Sequence, residues 1–246
     1  MKSSIVESSL DKVLNIQGEK WEQGQKIQGD LTFINKSNNA HDIPAFQIMI
    51  AYVDNKKFKA LEENSFKEIY RIDFKAFTLS PKESHKIPWE FQLDNNAYIS
   101  DKKHSLYILW GDLTKKIPPS LMLNVEPHIN IKKIIEYWEV FFRFIKKDII
   151  SLPDSSLEIK LNPPASKEFA TLDHLKLKLK REPGQLQLLT KSSLKTIKAD
   201  TSGMSLAKSE KKVEMLWDEK KYLLMPGHLN QDFVGKELAQ LLVQIK

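Results

Sequence analysis

Along the first half of the chain the apolar positions recur every second residue. Between Lys26 and Ile34, Ile27, Leu31 and Phe33 stand among polar neighbours, the period of a half-buried strand. Val13–Ile16 alternates more weakly, before the turn chemistry of Gly18–Gly24. Asn35–Asp42 reads as a polar loop, and Ala45–Val53 is a continuous apolar run suited to a core strand. Further strands are predicted at Glu68–Leu79, His85–Leu93, Ser105–Trp110 and Ser120–Val125. Pro44, Pro81, Pro88, Pro118 and Pro119 punctuate this stretch and disfavour long helices there. Many short, closely spaced strands point to a β-sandwich.

After Pro127 the period changes. Ile131, Ile134, Ile135, Trp138, Phe141 and Ile145 recur at helical intervals, so a short helix is expected, then a strand from about Phe142 to Ser151. This segment reads as the join between two domains, residues 1–127 and 128–246. Strands return at Leu157–Leu161 and at Leu172–Arg181, where leucine and lysine alternate strictly. Pro183-Gly184 makes a turn into a return strand at Gln185–Thr190. Lys211–Trp217 and Lys220–Met225 are expected to be strands around an Asp218-Glu219 turn. Phe233, Leu238, Leu241, Leu242 and Ile245 share one face of a closing helix over Gln231–Ile245. The fold class is therefore mostly β: two tandem immunoglobulin-like sandwiches, with a short interdomain helix and a C-terminal amphipathic helix.

Composition narrows the chemistry. The 246 residues contain no cysteine, which removes disulfides, thiol nucleophiles and cysteine-ligated zinc and fits a reducing compartment, so a cytoplasmic location is expected. Met1–Gln17 has no apolar run long enough for a signal-peptide core, and no run is long enough for a transmembrane helix. The net charge of +6 is uneven. Residues 1–128 hold 17 basic and 17 acidic side chains, whereas residues 151–246 hold 16 basic and 12 acidic. The basic excess suggests an acidic partner or an anionic lipid surface for the second half. The plainer account is solubility in a lysine-rich chain.

No catalytic, cofactor or metal residue is assigned. Gly24-Gln25-Lys26-Ile27-Gln28-Gly29 has the glycine spacing of a phosphate loop, but Asp30 and Leu31 follow where Lys and Ser or Thr are required, so it reads as a strand-entry turn. The six histidines are scattered. His41-Asp42 and Asp173-His174 are neighbours in sequence, which on a strand places them on opposite faces. Ser202-Gly203-Met204-Ser205 lies in a polar stretch without an accompanying base. The one candidate partner-binding face is Lys176, Lys178 and Lys180, with Arg181 beside them, which suits phosphates or lipid headgroups. The simpler role is that of outward lysines guarding a sheet edge. Without interleaved aromatics the ladder is not a nucleic-acid platform.

Two stretches of the first half together resemble the arrestin-like superfamily. Trp21–Leu31 has its glycine turn, short strand, second glycine and continuing strand, and Leu79–Leu93 has its turn followed by Ile87-Pro88-Trp89-Glu90-Phe91-Gln92-Leu93. Within that superfamily the chain is most similar to the bacterial and archaeal sporulation-control branch. Asn124-Val125-Glu126-Pro127 with the following helix, Phe169–Leu175, Gly184–Thr190 and the terminal helix follow its order. Three positions depart from the pattern. Asp94 stands for a proline, Lys82 for a turn glycine, and Val140-Phe141-Phe142 for Leu-Gly-Phe at the helix-to-strand junction. The resemblance implies tandem sandwiches, no cofactor, and regulatory or scaffolding action through protein contacts. A sheet edge that accepts a partner segment as an added strand is the expected mode. The competing readings are an effector imitating a trafficking adaptor, a periplasmic two-domain chaperone, and an enzyme without a local signature.

Overall fold

The computed structural model describes residues 1–6, 9–60, 62, 65–111, 118–200 and 203–245, with side chains left undescribed over 196–207. The chain divides into two compact units, Met1–Glu126 and Pro127–Lys246.

In the first unit the strands are β1 (Lys2–Val6), β2 (Leu10–Ile16), β3 (Trp21–Glu22), β4 (Lys26–Asn35), β5 (His41–Ile43) and β6 (Phe46–Asp54). A short helix α1 (Asn55–Lys59) follows, then β7 (Phe66–Phe74), β8 (Phe77–Leu79), β9 (Ser84–Gln92), β10 (His104–Gly111), β11 (Ser120–Leu123) and β12 (Val125–Glu126). One sheet runs β1-β2-β4-β9 and the other β11-β10-β6-β7. Alternating side chains from both, among them Leu14, Ile27, Leu31, Phe33, Ile48, Ile50, Trp89, Ile108 and Trp110, form one buried cluster. This is the sandwich that the period-2 pattern predicts.

The continuous apolar run near Ala45–Val53 has its own explanation. Met49, Ala51 and Val53 turn away from that cluster and form a second one with Leu109, against which Phe58 of α1 and Tyr107 pack. β6 is buried on both faces, so it loses its polar alternation. Helix α1 was hidden in the sequence; Asp54 caps it by accepting from the N–H groups of Lys56 and Lys57 at 3.0 and 3.1 Å. The predicted strand Glu68–Leu79 is instead two strands, β7 and β8, in different sheets. The predicted loop Asn35–Asp42 ends in β5, which pairs with β8.

Lys82 takes a left-handed backbone, φ 60°, at the turn where the resembled pattern has glycine. A second cationic residue with a left-handed backbone follows the first helix of the second unit. There α2 (Ile129–Val140) ends at Phe141, and the left-handed residue is Arg143, φ 57°.

The second unit continues with β13 (Ile145–Ser151), β14 (Leu157–Asn162), β15 (Leu172–Glu182), β16 (Gln185–Asp200) and β17 (Gly203–Asp218), one antiparallel sheet in that order. It closes with α3 (Glu219–Tyr222), β18 (Leu223–Met225), β19 (His228–Leu229) and α4 (Gln231–Ile245). The return strand reaches far beyond the predicted Thr190, and β16 and β17 stay in register from Gln185↔Asp218 to Asp200↔Gly203. Gly203, Met204 and Ser205 thus lie in a strand rather than a loop, while Ser202 falls outside the described residues. Lys220–Met225 is corrected too: Asp218 caps α3 by accepting from the Lys220 N–H at 2.9 Å, and only Leu223–Met225 is extended.

The layer opposite the sheet is partly helical. Ile131, Ile134, Ile135 and Trp138 of α2 and Val234, Leu238, Leu241 and Ile245 of α4 are buried. Trp217 of β17 meets Phe233 of α4 edge-on at 5.9 Å. The Gly235 defect in α4 has a packing reason: a Cβ there would lie 2.4 Å from the Tyr137 hydroxyl.

Candidate partner-binding surfaces

Strand β15 holds the predicted lysine ladder. Leu175, Leu177 and Leu179 are fully buried, so Lys176, Lys178 and Lys180 project from the opposite face, as strand geometry requires. However, β15 is the middle strand of five, so guarding an edge cannot be the reason for the lysines. Each one meets a carboxylate. Lys176 Nζ lies 3.1 Å from Glu158 Oε1, Lys178 Nζ 2.5 Å from Asp154 Oδ2, and Lys180 Nζ 2.7 Å from Glu182 Oε1. The hydrogen bond from Lys178, helped by the Ser156 hydroxyl, pulls the Asp154 carboxyl down to about 2. Glu182 pushes the Lys180 ammonium up. Arg181 hydrogen-bonds the buried Tyr222 hydroxyl. Exposed pairs of this kind stabilise little; across the sheet Lys176 also lies between Lys160 of β14 and Lys191 of β16.

The remaining sequence candidates resolve into structure. Gly24 makes its turn at φ 82°, and Gly29 is glycine because a Cβ would lie 2.2 Å from the Asn15 carbonyl oxygen and 2.6 Å from the Trp89 ring. The phosphate-loop spacing is thus a packing pattern. Asp42 accepts from the Thr78 hydroxyl at 2.7 Å. Asp173 and His174 do meet, contrary to the opposite-face expectation, because a bulge between Leu172 and His174 breaks the alternation. His174 Nδ1 lies 3.4 Å from Asp173 Oδ2, while Lys195 and Lys208 reach the same carboxylate at 2.9 and 3.2 Å. Lys195 foremost, then Lys208, holds that carboxyl far below its usual range. A carboxylate so stabilised is a poor base. Among the described residues no group of three His, Asp or Glu side chains is placed to hold a metal.

One cavity, of about 490 Å³, opens in the first unit among Leu31, Phe33, Ile43, Phe46, Phe74 and Trp110. Among the described residues the buried Trp110 Nε1 has no hydrogen-bond partner, but neither have Trp89, Trp138 and Trp217, so this does not mark a ligand site.

Sheet edges differ sharply in how they are closed. β9 carries Pro88 in mid-strand, and β11 has four residues. β13 is bulged between Lys146 and Asp148, and β17 exposes Lys208, Glu210, Lys211, Lys212 and Glu214. These are the usual means of blocking strand addition. β7 is the longer of the two proline-free edges of the first unit with more than four residues, β1 having five residues. Among the described residues it pairs only with β6, and it exposes Phe66, Ile69 and Tyr70 together with Lys67, Glu68, Arg71 and Asp73. A bulge sets Ile69 outside the register, and Tyr70–Phe74 pairs regularly beyond it. The sequence signal was present in the aromatic, proline-free run of Phe66–Phe74, but nothing in it marks β7 as an edge.

No protein-family model matches the chain. No curated protein matches it either. Among solved structures, the sporulation control protein Spo0M from Bacillus subtilis superposes with a TM-score of 0.65 over 97% of this chain and 99% of its own, at 15% identity. At that identity the likeness is one of fold, and the fold is arrestin-like. The Pseudomonas fluorescens DNA glycosylase AlkC and the C-terminal domain of Wzt match 45% and 51% of the chain at TM-scores of 0.27 and 0.30, with 13% and 10% identity. They cover 29% and 78% of those chains and bear on no functional question.

Proposed function

We propose that this chain, which shares the fold of Spo0M, is a non-enzymatic adaptor or regulator that binds an extended segment of a partner protein along β7. The observation that carries the reading is the open edge itself: nine residues, no proline, and three exposed apolar side chains beside unpaired backbone groups. Backbone hydrogen bonds to such an edge supply affinity, and the exposed side chains Phe66, Ile69 and Tyr70 supply selectivity. The cysteine-free composition suits action in the cytoplasm.

The test is amide hydrogen exchange on the purified chain with and without a purified partner identified by capture. Slower exchange confined to Phe66–Phe74 is the expected result, with binding weakened at least tenfold in an Ile69→Lys, Tyr70→Lys double variant that keeps its melting temperature. Protection elsewhere, or unchanged affinity in that variant, overturns the assignment of β7. A catalytic turnover abolished by one histidine or serine substitution overturns the adaptor reading.

A further inference from the structure

The α2–β13 junction of the second unit carries the opposite arrangement to the lysine ladder. Across residues 140–147, Val140, Phe141 and Ile145 are more than half exposed, and Arg143, Lys146 and Lys147 are exposed with them. Among the described residues, none of these three cations makes an ion pair or a side-chain hydrogen bond. Acids also stand around the junction: Asp232 lines one cleft beside Phe141 and Glu168 another, without an ion pair to these cations. Glu136 is paired with Lys133 at 2.7 Å, Asp148 accepts from the Ile149 N–H at 3.1 Å and lies opposite Lys160, and Glu139 is on the preceding turn.

Phe141 lines two separate clefts, one with Val140 and Leu224, the other with Arg143 and Val243, so it forms the ridge between them. Its ring is stacked on Tyr137 at 4.3 Å, and Phe144, buried below, anchors the turn against Trp138 at 5.0 Å. Val243 on α4 adds another exposed apolar tip beside the second cleft. The aromatic tip is therefore held outward by a rigid base.

We propose that this junction is a docking site for an anionic membrane surface. An apolar ridge flanked by unpaired cations matches a lipid interface, where side chains such as Phe141 and Ile145 enter the headgroup–acyl boundary and cations meet phosphate. What favours a lipid surface is the pairing of exposed apolar side chains with three cations that have no ion pair among the described residues. The site lies in the second unit and is independent of the proposed β7 contact.

The test is co-sedimentation of the full chain with vesicles of phosphatidylcholine alone and of phosphatidylcholine with about one-third phosphatidylglycerol. Binding to the anionic vesicles only, weakened by added salt, is expected. Each cation at such a surface contributes about fivefold in affinity, so the Arg143→Gly, Lys146→Gln, Lys147→Gln variant is expected to lose on the order of a hundredfold. Arg143→Gly relieves the left-handed backbone, which guards that variant against misfolding, and circular dichroism checks it. Phe141→Ser is expected to lose about tenfold at unchanged charge. As a counterpart, Lys176→Gln, Lys178→Gln and Lys180→Gln together are expected to leave vesicle binding within about twofold. No binding to anionic vesicles overturns the proposal. So does binding that survives the junction variants, or junction variants that lose a purified protein partner while still binding vesicles.

Discussion

The second unit has two basic segments of similar charge and unlike character. The ladder Lys176, Lys178 and Lys180 lies on the central strand with a carboxylate at each lysine, whereas Arg143, Lys146 and Lys147 lie at a helix-to-strand junction with none among the described residues. The difference is one of neighbours. Glu158 of β14, Asp154 of the turn before it and Glu182 of β15 itself reach the ladder, although Lys160 and Lys191 lie opposite Lys176 on the two flanking strands. A junction leading into an edge strand has fewer such neighbours. Counting cations in a sequence finds both segments; only pairing decides which retains a field.

The sharpest way to break the comparison is at its aromatic base. Phe144 is 1% exposed and Phe141 55%. Phe144→Ala is expected to cost about 3–5 kcal/mol in urea unfolding, because it leaves a cavity against Trp138 and Phe169. Phe141→Ala should change stability by no more than about 0.5 kcal/mol. Similar costs for the two would mean that Phe141 is not a surface ridge.

Backbone strain gives the next effect. Arg143→Gly is expected to stabilise by about 1 kcal/mol, since glycine adopts φ 57° without the steric cost of a Cβ. Arg143→Ala retains the Cβ and should bring no gain. A gain in both would place the effect in charge rather than in backbone conformation.

The smallest effect separates the two segments by pH. Asp154 sits at about 2 when folded, below an unfolded carboxyl near about 3.9. Its contribution is therefore present above about pH 4 and is lost as pH falls towards 2. Because both partners are well exposed, Lys178→Met should shrink this acid-limb loss by only about 0.5 kcal/mol. Arg143→Gly, having no carboxylate partner, should leave the slope of melting temperature against pH unchanged. Equal slopes in wild type and Lys178→Met would remove the pairing that distinguishes the ladder.

Much of the architecture was legible along the chain. The amphipathic stripe of Gln231–Ile245 is α4 to the residue, and the leucine–lysine alternation is β15. Both are elements whose buried face repeats at one period without interruption. Where burial is two-sided or polar, the pattern fails: β6 lost its alternation to α1, and the long hairpin β16–β17 is held by backbone pairing through a stretch that reads as polar. Strand alternation places Asp173 and His174 on opposite faces, and the bulge that brings them together leaves no mark on the periodicity.

By itself, the sequence determined the local periods, the turns and the absence of cysteine chemistry, because these depend on residues near one another in the chain. Which strand became an edge, which lysine met a carboxylate, and which left-handed position Arg143 filled were decided only by tertiary structure. Those outcomes depend on partners brought together across the sheet and on helix packing, and their spacing in sequence carries no period to read.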